Sequence, residues 1–200
     1  MRQRNVVQKK YNKMSFIHLK EKYKKEVIPA MMKEFGYKNS MAVPGIEKVT
    51  INTSFGRLAV DKKGQEKEKM VGDILKDMGS ISGQCAVSTK TKKSIASFKT
   101  REGVSIGACV TLRKQKMYDF LERLIHISIP RTRDFRGIKA SSVDERGNLT
   151  IGIKEHICFS EISPEKLKSI FGLEITITTT AKTKKEGLRL LELSGFPIKR

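Results

Sequence analysis

Along this chain, hydrophobic residues recur at helical spacing in some stretches and alternate with polar ones in others. Phe16, Leu19, Tyr23, Val27, Met31 and Phe35 fall on one side of a helix that Ser15 can cap and Gly36 ends. Pro29 lies inside it, and its ring clashes with the preceding turn, so a kink or restart is expected there. The stretch "IEKVTINTSF" alternates as a strand, with Val49 and Ile51 on one face and Lys48, Thr50 and Asn52 on the other. Met70, Val71, Ile74, Leu75 and Met78 mark a second helix, expected to end at Gly79. In "QCAVS", Cys85 and Val87 fall together, against Gln84, Ala86 and Ser88. In "IGACVTLR", Ile106, Ala108, Val110 and Leu112 are inward, against Gly107, Cys109, Thr111 and Arg113.

The later elements follow the same logic. A helix bearing Met117, Phe120, Leu121, Leu124 and Ile125 runs up to Pro130. A hairpin turns at Asp144 to Asn148, sending Leu149, Ile151 and Ile153 inward, and Ser163 and Pro164 open a short helix. "LEITITTT" is the clearest strand, with Leu173, Ile175 and Ile177 against Glu174, Thr176 and Thr178. Thr183 and Glu186 form a capping box for a final helix carrying Leu188 and Leu191.

Strict alternation gives each strand one apolar and one polar face, as in an antiparallel sheet covered by helices on one side. The expected fold is therefore α+β, a two-layer sandwich with an exposed polar face. That face carries Asn52, Gln84, Ser88, Thr111, Arg113, Thr176 and Thr178. Short amides and hydroxyls suit hydrogen bonding to ribose hydroxyls and phosphates. A merely wetted face, rich in Thr for its β-propensity, fits the same pattern. A length of 200 residues fits one domain over 15–200, preceded by a basic arm over 1–14.

Charge narrows the partners. The 41 Lys and Arg against 21 Asp and Glu leave a net charge of +20. Such a field attracts polyanions, nucleic acid first and an anionic membrane surface second. The segment "STKTKKSIASFKTREG" concentrates Lys90, Lys92, Lys93, Lys99 and Arg101 ahead of its first acid, Glu102. Cys85, Cys109 and Cys158 have neither zinc spacing nor a disulfide framework, which fits free thiols in a reducing compartment. The N-terminal arm lacks the apolar run of a signal peptide, and nothing approaches a membrane span. With no acid before Glu21 the arm also matches an organelle transit peptide, but it is poor in Ser, and an arm that orders on RNA is the expectation. No P-loop, GxGxxG, GxSxG or HExxH motif occurs, and His18, His126 and His156 lie far apart. Asp144 and Glu145 read as turn formers. No cofactor or metal is implied, and an RNA-modifying or RNA-processing enzyme with a basic substrate surface is the alternative to a binding protein.

Several stretches together carry a resemblance. "VPGIEKVTIN", "ISGQ", "TKKSIASFKTREG", "IGACVTLR", "FLERLIHISIPRTRDFRG", "DERGNLTIGIKE" and "GLEITITTTAKTKKEGLRLLELSGFP" resemble, in order, the large-subunit ribosomal protein L-five family in its bacterial form. The resemblance implies a ribosomal protein of the cytoplasmic large subunit, in its central protuberance, that is not an enzyme. It implies binding to 5S rRNA and large-subunit rRNA, contact with P-site tRNA, a bridge to a small-subunit head protein, and neighbouring large-subunit proteins as partners. The family's 5S-contacting Asn, Gln and Thr fall on Asn52, Gln84 and Thr111, with Arg113 beside them. Its tRNA loop falls on Thr91 to Gly103, giving Lys92, Lys93, Ser94, Phe98, Lys99 and Arg101 as contacts. Phe98 could pack within that loop or stack on a nucleotide, and packing is the expectation for a lone aromatic. Two departures stand out: Gly45 replaces the usual Arg, and "NTSFG" at Asn52 to Gly56 replaces "NMGVG".

Overall fold

The computed structural model describes residues 18–60, 64–98, 100–133, 135–163, 165 and 169–199, so Ser15, Phe16, Lys99, Pro164 and the basic arm lie outside the described residues. The first helix, α1 (residues 19–35), is α-helical over Leu19–Lys22 and Ile28–Phe35 and widens to a π-helical turn over Tyr23–Val27. Pro29 explains the widening. Its ring would collide with the carbonyl of Lys25, four residues back, and that carbonyl lies inside the wider turn. The expected restart is therefore present, and the helix ends at Gly36 in the left-handed region, as its sequence requires.

Strand β1 (Ile46–Ser54) is followed by a short helix, α2 (Gly56–Val60), and by α3 (Gln65–Ser82). Helix α3 passes through Gly79 and ends one turn later at Gly83, whose φ of 67° makes it the true cap. The last turn persists because Ile81 is buried and the Ser82 hydroxyl bonds the carbonyls of Met78 and Gln84 at 2.7 and 2.9 Å. A glycine inside a helix weakens it, but packing decides.

Strands β2 (Val87–Lys90) and β3 (Ser105–Leu112) form a hairpin leading into α4 (residues 114–131). Helix α4 also carries a π turn, Leu124–Ser128, just ahead of Pro130. It therefore continues to Arg131 instead of stopping before the proline. A two-residue strand β4 (Ile138–Lys139), β5 (Leu149–Ile153), β6 (Leu173–Thr179), α5 (Lys184–Ser194) and β7 (Ile198–Lys199) complete the order. Strands β4 and β7 make a small parallel ladder that alternation did not reveal, being only two residues long.

The main sheet runs β2-β3-β1-β6-β5, with every pairing antiparallel. Two inward rows, Leu112–Val49–Ile177–Leu149 and Val110–Ile51–Ile175–Ile151, are buried throughout. They share one core with Met70, Ile74 and Met78 of α3 and Met117, Phe120 and Leu121 of α4. The two-layer α+β arrangement follows from that one-sided burial. Thr53 joins the inward side and is kept there by donating to the Gly172 carbonyl at 2.7 Å. A second cluster of Val27, Met31, Val43 and Leu190 ties α1 to α5. The capping box at Thr183 and Glu186 is present, and the Tyr37 hydroxyl donates to the same glutamate at 2.5 Å.

Strand β2 is where the face assignment fails. Val87 is 66% exposed and pairs with Cys109, whereas Ser88 pairs with the buried Ala108 and Ala86 packs on the core. Cys85, expected inward with Val87, is exposed. The stretch "QCAVS" offers little polar contrast, so its pairing with β3 sets the register, and a one-residue difference exchanges the faces.

Candidate nucleic-acid interface

The outward rows of the sheet hold the expected residues. Thr111 of β3 lies opposite Thr50 of β1, which lies opposite Thr176 of β6, which lies opposite Thr150 of β5. Four threonines thus span four strands, about 14 Å at the usual strand spacing. Thr111 and Thr150 are exposed and Thr50 and Thr176 half-buried. The Thr150 and Thr176 hydroxyls stand 3.4 Å apart. Alternation pointed to Thr50, Thr111 and Thr176; the row itself, and Thr150 within it, emerge only from the register.

Beside that row runs another: Val87, Cys109, Asn52, Glu174 and Gly152. Asn52 is half-buried, and its Nδ2 donates to the Glu174 carboxylate across the strand gap at 3.5 Å. Gln84 is exposed just before β2, and its Nε2 donates to the Thr111 carbonyl at 3.4 Å. Its backbone is clamped on both sides by the Ser82 hydroxyl. The structure therefore brings Asn52, Gln84 and Thr111 to one region. Arg113 follows Thr111, exposed, with its guanidinium 3.6 Å from the Glu47 carboxylate. Ser88, by contrast, is turned away from this face by its pairing with Ala108.

The two departures have local explanations. The Gly45 amide donates to the Thr180 hydroxyl at 2.9 Å, and a side chain there would meet the Tyr23 hydroxyl. Phe55 is buried in the core, so the change to "SF" alters packing beneath the face more than the face itself.

Between β2 and β3 the basic segment folds back on itself. Thr91 donates to the Val104 carbonyl, Gly103 donates to the Thr91 carbonyl, and Ile95 and Thr100 exchange backbone bonds. Gly103 can turn there because it takes a φ of 78°. The Ser94 hydroxyl accepts the Glu102 amide at 3.0 Å, so it braces the loop from within. Lys92, Lys93 and Arg101 are exposed around it. Phe98 corrects the expectation: it ends a 3-10 turn at the tip and is 69% exposed, so it does not pack the loop. Its neighbours in that turn, Ala96 and Ser97, are too small to give it apolar cover. The stretch from Ser105 to Thr111 spans about 20 Å of strand, so loop and threonine row are separate places.

Electrostatics elsewhere is structural. Burial pushes the Asp144 carboxyl up, but hydrogen bonds from the Asn148 side chain and backbone outweigh it and hold the group below its usual range. Asp144 is thus a turn former, but the expected hairpin is not a strand pair: a 3-10 turn over Ala140–Ser142 precedes it, and the single bridge of Val143 to Leu149 joins its two sides. His156 is fully buried, stacks on Phe171 at 3.9 Å, and is depressed by burial, with nearby Asp77 pulling the other way. Among the described residues, no helix is long and apolar enough to cross a membrane.

Residues 39–101 match the family described as Ribosomal protein L5, and residues 105–198 match the model of that family's C-terminus. The chain is 48% identical over 180 residues to the large ribosomal subunit protein uL5 of Halothermothrix orenii, covering 90% of this chain and 97% of that protein. It is 51% identical to the protein of that name from Dichelobacter nodosus, covering 90% and 98%, and 48% identical to that of Thermosipho africanus, covering 94% and 100%.

Proposed function

This chain belongs to the ribosomal protein L5 family in its bacterial form, a structural component of the large ribosomal subunit and not an enzyme, and from that premise we propose that it binds 5S rRNA through the outward face of its sheet. The register that aligns Thr111, Thr50, Thr176 and Thr150, with Asn52 and Gln84 alongside, carries this reading. Hydroxyls and amides both donate and accept, which matches the 2′-hydroxyl, and a flat row suits a wide, shallow RNA minor groove. Lys48 and Arg113 at the margin supply charge for phosphates. The β2–β3 loop serves a second RNA, P-site tRNA: Lys92, Lys93, Lys99 and Arg101 meet phosphates, and exposed Phe98 offers a stacking surface. A bridge to the small-subunit head and contacts with neighbouring large-subunit proteins and rRNA complete the reading, in the cytoplasmic ribosome.

The test replaces Asn52, Gln84 and Thr111 together with Ala and measures 5S rRNA affinity and the thermal midpoint. A neutral hydrogen bond contributes about 0.5–1.5 kcal/mol, so the triple variant binds at least about tenfold more weakly. Its midpoint stays near the parent's, because these side chains face away from the core. Affinity equal to the parent's would exclude this face as the 5S site.

A further inference from the structure

A cleft of about 660 Å³ opens beyond the end of β5, between that strand and the end of α4. Arg131, Arg133 and Lys154 rim it with positive charge, against one carboxylate, that of Glu155, among the described residues lining it. Inside that rim lies an apolar wall: Ile157 is half-buried and Ile170 is 56% exposed. Lys154 also lines a second cleft that holds Asn52, Gly172 and Glu174, so the two openings are neighbours that share this residue.

These features ask for a ligand that is anionic at one end and flat and apolar at the other. A bare phosphate would satisfy the cations and leave the isoleucines in water. An apolar side chain would cover the isoleucines and leave the cations without a counter-charge. A nucleotide meets both requirements, with its phosphate on the arginines, its base against Ile157 and Ile170, and an amino or hydroxyl group donating to Glu155. The volume lies within the ordinary range for small-ligand sites. We propose that this cleft takes one unstacked nucleotide of RNA, continuing the strand that lies over Asn52. This site rests on the RNA-binding reading of the sheet, but no residue of its rim belongs to the threonine row.

The experiment follows the isoleucine methyl resonances of the full chain during titration with uridine 5′-monophosphate, adenosine 5′-monophosphate, inorganic phosphate and a hexaglutamate peptide. Both nucleotides should shift Ile157 and Ile170 saturably, and inorganic phosphate should move neither. Arg131→Ala with Arg133→Ala should raise the nucleotide Kd about tenfold, as expected for losing charged phosphate contacts. Equal shifts from phosphate and nucleotide would reduce the cleft to an anion site, tighter binding of the peptide would assign it to a protein partner, and either result overturns the proposal, as does silence in all four titrations. In parallel, Ile170→Asp, an exposed substitution, should weaken 5S rRNA binding at least about threefold. Unchanged affinity in that variant, with a parent that binds 5S rRNA, would sink the cleft alone. A parent that binds the nucleotides but not 5S rRNA would sink the 5S reading and leave the nucleotide site standing.

Discussion

Glu174, set on the outward face by alternation, is a carboxylate directly opposite Asn52 on the face proposed to meet RNA. Its charge would repel a phosphate brought to Asn52, and it also accepts the Asn52 amide. Glu174→Gln should therefore tighten RNA binding by about two- to fivefold, the effect expected of one exposed charge. The gain should shrink at high salt. A filter-binding isotherm at two salt concentrations checks this, and a fall in affinity would instead make the carboxylate an acceptor for RNA. Lys114 is the second residue of interest. It begins α4 with a φ of 55°, the one non-glycine residue with positive φ among those described. The left-handed region costs an L-residue about 1–2 kcal/mol, and a glycine returns about 0.5–1 of that as unfolded-state entropy. Lys114→Gly should raise stability by about 0.5–1 kcal/mol in urea denaturation.

Among elements, the tight turn before β5 and helix α5 approach each other unusually closely. A Cβ on Gly187 would collide with the Cα of Gly147, and one on Gly147 would stand 2.8 Å from the Cα of Gly187. Both obstacles are backbone, and the Gly147 turn is itself held by Asp144, Asn148 and Thr179. Neither side can yield without moving the end of β6. Gly187→Ala should destabilise the protein by about 2–3 kcal/mol, at the upper end of overpacking effects, although alanine is the better helix former. Thermal melts of Gly187→Ala beside Gly72→Ala, a position with nothing near its Cβ, separate the clash from propensity. The paired π turns belong to this scale too, since each lets a helix carry a proline instead of ending at it.

At the scale of the whole molecule, a pH response is expected from the interior. His156 stacks on Phe171 in the core, and burial holds its imidazole below the ordinary histidine value. The unfolded chain takes up a proton near pH 6.5, whereas the folded chain resists it. Stability is therefore full above that value and is lost as pH falls toward the folded value. Melting between about pH 7 and 5 should show a declining midpoint, and His156→Phe should flatten the decline. An equal slope in the variant would assign the decline to other groups. Roughly 20 Å of strand β3 also separates the β2–β3 loop from the threonine row, which lets the loop change without disturbing that row.

The sequence by itself determined the elements with strong contrast. Alternation put Ile175 and Ile177 inward and Thr176 outward, and helical spacing found Met117, Phe120 and Leu121, because the backbone period alone fixes those faces. It also placed Asn52 and Thr111 on the outward face and Gly36 and Thr183 at helix ends. Tertiary structure decided everything that depends on a partner. Val87 and Ser88 exchange faces because β3 sets their register; α3 outlasts Gly79 because Ile81 is buried; Phe98 stays exposed because no described element packs over the loop tip. The row from Thr111 to Thr150 needs four strands to be paired in one register, and no single strand contains that information.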